Sequence, residues 1–157
     1  MKALLTNKLL WIPLATWLLV QIFKLIVEIF NAKGRKINFK RILGAGGMPS
    51  SHTACITSLA TSIGVTEGFG SATFALAAVF CFIVMYDATG VRRAAGKQAA
   101  VLNKIIESDG KNINVQEKLV ELLGHSPIEV IVGVIVGICM GLLFCAIWDL
   151  WCNLQND

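Results

Sequence analysis

Apolar positions along the chain fall into four blocks divided by polar ones. The first block runs from Leu9 to Phe30 and is long enough to cross ~30 Å of hydrocarbon at about 1.5 Å per residue. It has neither the short apolar core nor the small-residue cleavage site of a signal peptide, so it reads as an uncleaved anchor. The second block, His52 to Val65, is weaker and rich in Ala, Ser, Thr and Gly. Small residues suit close helix packing inside a membrane bundle. The third, Ser71 to Met85, is more lipophilic, and Glu67, Gly68 and Gly70 set it off from the second as a tight turn. The fourth, Ile128 to Trp151, is the longest clean span. In it Gly133, Gly137 and Gly141 recur every fourth residue, a helix-packing face that serves either an internal contact or a homo-oligomer. Trp11, Trp17, Trp148 and Trp151 stand near span ends as interfacial anchors.

Two polar segments remain. Asn31–Ser51 carries Lys33, Arg35, Lys36, Lys40 and Arg41; Asp87–Ser126 carries Arg92, Arg93, Lys97, Lys104, Lys111 and Lys118. Within the second, Val91–Glu107 and Val115–Leu123 have helical apolar spacing and read as amphipathic helices at the membrane surface. The pattern therefore predicts an all-α integral membrane protein. It has about four transmembrane helices plus amphipathic interfacial helices, as one domain over residues 1–157. With four spans both polar segments lie on one side, and they hold 11 of the 14 basic residues. Only Lys2 and Lys8 lie on the other side. The positive-inside rule then puts both segments, and any site they form, on the cytoplasmic face of a bacterial plasma membrane.

Composition narrows the function classes. The chain is 55% hydrophobic and 15% charged, against about 25% charged in soluble domains, which excludes a soluble globule and a disordered chain. A net charge of +4 without a dense patch gives no nucleic-acid surface. The five cysteines sit in apolar stretches with no Cys-x-x-Cys pair, so neither a metal centre nor a disulfide framework is expected.

The chemistry-bearing residues gather on the basic side. The chain has two histidines, each at an expected helix start: His52 after Gly47-Met48-Pro49-Ser50-Ser51, and His125 before Ser126-Pro127-Ile128-Glu129. Helix N-termini offer unpaired N–H groups and a positive dipole end, which suit phosphate. Imidazole serves as nucleophile or general acid near neutrality. Glu129 has two readings. It closes a capping box with Ser126, or it meets His125 one turn away and orients its ring. Gln21, Lys24 and Glu28 share a face of the first span, and an ionisable group there is costly and marks function by default. Asp87, Arg92 and Arg93 follow the third span, where Arg can clamp phosphate. The alternative for each is structural: an intrahelical Lys24–Glu28 pair, and a plain basic flank.

Taken together, Gly47-Met48-Pro49-Ser50-Ser51-His52 resembles the Pro-Ser-Gly-His motif of the type 2 phosphatidic acid phosphatase superfamily. His125-Ser126-Pro127-Ile128-Glu129-Val130, with Gly133, resembles its His-x-x-x-Asp-Val-x-x-Gly motif. In length, in its Tyr86–Arg93 segment and in Leu122-Leu123-Gly124-His125, the chain is similar to the small divergent branch of that superfamily. The resemblance implies a cofactor-free, metal-independent phosphomonoesterase with a phosphohistidine intermediate. On that reading His125 is the nucleophile, Glu129 its orienting acid and His52 the acid that protonates the leaving alkoxide. Ser50 and Ser51 hold phosphate oxygens. The chain departs from the pattern at four points: Ser51 replaces Gly, Glu129 replaces Asp, Leu119 stands where an Arg precedes the second motif, and Lys-x6-Arg-Pro is absent. Lys24, Arg41, Arg92 and Arg93 are the candidates to supply the cations, with Gln21 and Asp87 in support. The substrate implied is a lipid phosphate of the phosphatidylglycerol phosphate or phosphatidic acid kind. A polyprenyl diphosphate phosphatase is one alternative; a non-enzymatic scaffold or anion-binding subunit that keeps the frame is another.

Overall fold

In a computed structural model of the chain, residues 2–32, 47–108, 119, 121 and 123–155 are described. The described residues form six helices: α1 (Lys2–Leu5), α2 (Lys8–Ala32), α3 (Ser51–Glu67), α4 (Ala72–Thr89), α5 (Val91–Ser108) and α6 (Pro127–Leu154). The protein is all-α, as its apolar periodicity predicts. Three candidate spans, Lys8–Phe30, Ala72–Ser108 and Pro127–Leu154, are long and apolar enough to cross a membrane. Their outward faces carry Leu18, Phe23, Phe82, Ile83, Ile131 and Leu142, all exposed and apolar, as a lipid-facing surface requires. This is an integral membrane protein.

Among the described residues the count of self-sufficient spans is thus three, where about four were expected. The difference is α3. Its 17 residues rise ~26 Å, but its buried positions are largely Ser, Thr, Ala and Gly. It lies in the middle, packed against α6, α2 and α4. A helix so enclosed has no need of a lipophilic surface. Two of its buried hydroxyls bond to the helix's own backbone: Thr61 Oγ1 donates to the Thr57 carbonyl at 2.8 Å and Ser62 Oγ to the Ser58 carbonyl at 2.7 Å. Both side chains are therefore buried with their hydrogen bonds made.

The α3–α6 contact is the tightest seam. A Cβ added at Gly137 would sit 2.6 Å from the Ala54 carbonyl oxygen and 2.8 Å from Thr57 Cβ. Gly133 approaches the Ser50 carbonyl in the same way (2.9 Å) and Gly141 the Thr61 Cβ (2.8 Å). The order of these contacts runs α3 and α6 side by side in the same direction. All three glycines are buried in this seam. The glycine row therefore serves the internal contact between α3 and α6.

Polar signals start and stop the elements where the sequence suggests. Ser50, Ser71 and Ser126 are N-caps whose side chains accept from the Thr53, Phe74 and Glu129 amides. Gly68 closes α3, and the Phe69 and Phe74 rings meet edge to face at 5.1 Å across the turn into α4. Gly90 separates the apolar α4 from the amphipathic α5. At the far end Lys8 Nζ meets Asp149 Oδ1 at 2.8 Å, joining the start of α2 to the end of α6, so these two run antiparallel.

One expected element differs. Leu119, Glu121 and Leu123, taken in the sequence as part of an amphipathic helix over 115–123, are not helical. Asn103 of α5 explains this. Its buried amide donates to the Leu119 carbonyl at 2.9 Å and accepts from the Leu119 N–H at 3.0 Å, occupying the groups a helix would use. The rest of that stretch, with Lys111 and Lys118, lies outside the described residues, as do Lys33–Lys40, Arg41, Gly44 and Gly46.

Candidate active site

The polar residues meet where α2 and α4 end and α3 and α6 begin. Two backbone bonds fix this junction. The Ser50 N–H donates to the Glu129 carbonyl at 3.1 Å, tying the two helix starts together, and the His125 N–H donates to the Ala88 carbonyl at 3.0 Å. Both helix N-termini therefore present their positive dipole ends to one region.

His125 is preceded by Leu119, Glu121 and Leu123, which are non-helical and run past α5. Gly96 of α5 lies flush under these residues, where a Cβ would come within 2.6 Å of the Glu121 carbonyl and 2.7 Å of the Leu123 carbonyl. Gly124 has φ +86°, a left-handed conformation that favours glycine, and any side chain there would collide with the Arg93 backbone. The His125 side chain is buried, and among the described residues neither ring nitrogen has a hydrogen-bond partner. A buried imidazole with both nitrogens unpaired is an exception that calls for a role.

Its surroundings are charged. Burial does most to hold the His125 imidazole below its ordinary value; the Lys24 charge pushes the same way, Glu129 opposes, and His52 and Arg92 add smaller downward pushes. The lowered value favours the neutral ring. Lys24 is buried at 7% exposure, within electrostatic reach of Glu129, and the charges of Arg92 and Lys24 also reach His52. His52 itself is exposed, on the first turn of α3.

The carboxylates are engaged differently from one another. Glu129 Oε2 accepts the Ser126 N–H at 2.7 Å while Ser126 Oγ accepts the Glu129 N–H at 3.4 Å, a complete capping box. Of the two readings of Glu129, the capping bond is the one formed; its charge still acts on His125. Asp87 Oδ2 accepts from Arg92 Nε at 2.6 Å, in a pair about half exposed. Ser50 is fully buried, and its Oγ accepts from Thr53 Oγ1 at 2.9 Å. Ser51 is buried beside it. Arg93 is exposed, with its backbone under Gly124. Gln21 is half-buried, one turn before Lys24, and its Oε1 has no partner among the described residues. Arg41 lies outside the described residues. No three described His, Cys, Asp or Glu side chains cluster as metal ligands.

An apolar cavity of about 340 Å³ borders this polar end. It is lined by Leu19, Val20 and Phe23 of α2, by Met48 and Pro49, and by Val132, Val136 and Met140 of α6. Pro49 adjoins Ser50, and Phe23 adjoins Lys24, so the cavity ends within a residue of the polar cluster. Sequence reading missed this cavity and the supports of His125, Gly96 and Asn103. Asn103 had left one sign: it is the lone amide on the Gly96–Ala99 face of α5.

Comparison with known proteins bears on the identity of this frame. A curated relative is 40% identical over 89% of this chain and 95% of its own length: an uncharacterized membrane protein, YuiD, of Bacillus subtilis (strain 168). No solved structure matches. A sequence profile described as the divergent PAP2 family, PAP2 being type 2 phosphatidic acid phosphatase, matches residues 5–140. With nearly the whole chain covered, and with the two histidine segments inside the match, this protein belongs to the divergent PAP2 family.

Proposed function

We propose that the protein is a membrane phosphatase that hydrolyses a phosphomonoester on a lipid, of the phosphatidic acid or phosphatidylglycerol phosphate kind, through a phosphohistidine. The observation that carries this reading is the buried imidazole of His125, without a hydrogen-bond partner among the described residues and within electrostatic reach of His52, Lys24 and Arg92. The cavity between α2 and α6 supports a lipid substrate: an acyl chain lies along Val20 and Val136 while its phosphate sits at the cations.

The steps follow from the residues. A ring nitrogen of neutral His125 attacks phosphorus as the P–O ester bond breaks, and the leaving alkoxide takes a proton from His52. Lys24, Arg92 and the two helix N-termini stabilise charge on the phosphoryl oxygens. His52, now neutral, takes a proton from water, which attacks phosphorus as the P–N bond breaks; phosphate leaves and His125 is restored. Glu129, held by its capping box, offsets the positive charge that His125 carries in the intermediate. The phosphate site lies on the cytoplasmic face, on the strength of the basic segments that flank it.

The test is phosphate release by the purified full chain from a panel of phosphatidic acid, phosphatidylglycerol phosphate and a polyprenyl diphosphate. The expected result is turnover of a lipid phosphomonoester that His125→Ala abolishes. His52→Ala should lower it about 10²–10⁴-fold, the usual share of a general acid. No release from any substrate, or release that survives His125→Ala, overturns the reading.

A further inference from the structure

Helix α5 (Val91–Ser108) carries three distinct faces. The first is Gly96, Ala99 and Asn103, which are buried. Gly96 and Asn103 hold residues that precede His125: Asn103 Nδ2 donates to the Leu119 carbonyl at 2.9 Å and to Glu121 Oε1 at 2.8 Å. The second, on the opposite side at 100° per residue, is Val101, Leu102 and Ile105. These three side chains are 58%, 49% and 50% exposed. The third runs along one flank, where Arg93, Lys97 and Lys104 are all exposed. Glu107 is the only acid in the helix.

We propose that α5 lies in the bilayer interface against an anionic leaflet, with its Val101–Leu102–Ile105 face in the acyl boundary and Arg93, Lys97 and Lys104 among lipid phosphates. Two observations select this occupant over a protein partner. The apolar face is bordered by a one-signed stripe that complements anionic headgroups. The helix also follows, after the single break at Gly90, directly from α4, whose exposed Val79, Phe82, Ile83 and Tyr86 already face lipid. The membrane and the residues that precede His125 thus occupy opposite sides of one helix. The inference stands whether or not His125 is catalytic.

The test places a photoreactive benzoylphenylalanine at position 102 of the full chain. The protein is reconstituted in vesicles of phosphatidylcholine with phosphatidylglycerol, and the adducts are identified by mass spectrometry. The expected product is a lipid adduct in which phosphatidylglycerol is enriched at least about threefold over its bulk fraction. The double variant Lys97→Gln/Lys104→Gln should return that ratio to the bulk value. Adducts between two copies of the chain, no lipid adduct, or a lipid adduct without enrichment overturns the proposal. Enrichment that the double variant leaves intact overturns it as well.

Discussion

His125 is set apart by the physics of its surroundings. Its ring is buried, has no hydrogen-bond partner among the described residues, and is pushed below its ordinary value chiefly by burial and then by Lys24. A lowered value keeps the neutral form in place as pH falls below about 6.5, the ordinary imidazole value. On the proposed mechanism, the acidic limb of phosphate release set by this group lies below that pH, as a pH–rate profile would check. Replacing Lys24 by Met removes the largest of the cationic pushes, so the His125 titration, followed by imidazole NMR in the free protein, should move upward toward the ordinary value. An unmoved titration would show that Lys24 does not act on the ring. Glu129 permits a separate test, because its two effects come apart. Glu129→Gln keeps a capping partner but removes the charge that opposes the shift, so the His125 titration should move further down. Ser126→Ala instead breaks the cap and should cost about 0.5–2 kcal/mol of stability with little effect on that titration. At this scale the sequence singled out the two histidines and their charged neighbours as candidates for chemistry. It could not choose between the two bonds open to Glu129, because a spacing of three to the cap and four to the histidine allows both.

At the scale of elements the α3–α6 seam decides how the site is built. Gly137 stands against backbone and a branched Cβ of α3, neither of which can swing aside. Gly137→Val should push the helices apart and cost about 1–3 kcal/mol or more by overpacking, read as a lowered unfolding midpoint in detergent. Since Ser50 and Glu129 are joined across the same seam, phosphate release should fall with it. A variant with unchanged midpoint would contradict the internal role of the glycine row. The row itself was legible, since a four-residue repeat of glycine announces a close-packed face; the partner was not, because periodicity gives a face and not what covers it. The same limit explains the stretch near Leu119. Its apolar spacing fits a helix, and only the fold brings Asn103, 16 residues away, to claim its backbone.

Across the whole molecule the polar groups are divided between two ends. One end holds Lys24, His52, Arg92 and His125; the other holds the Lys8–Asp149 pair with Trp11, Trp148 and Trp151. The antiparallel course of α2 and α6 makes the two ends face opposite sides of a membrane. This division was readable in the run of charges. The span count was not, because α3 is shielded by its neighbours and carries no lipophilic signature of its own. The central claim is that His125 takes the phosphoryl group. It is tested most directly by mixing the purified chain with phosphatidic acid, quenching within a turnover at alkaline pH, and sequencing peptides by mass spectrometry. The account predicts a phosphoryl group on His125 that disappears in His125→Ala; phosphate release with no phosphoryl group on His125 would contradict it.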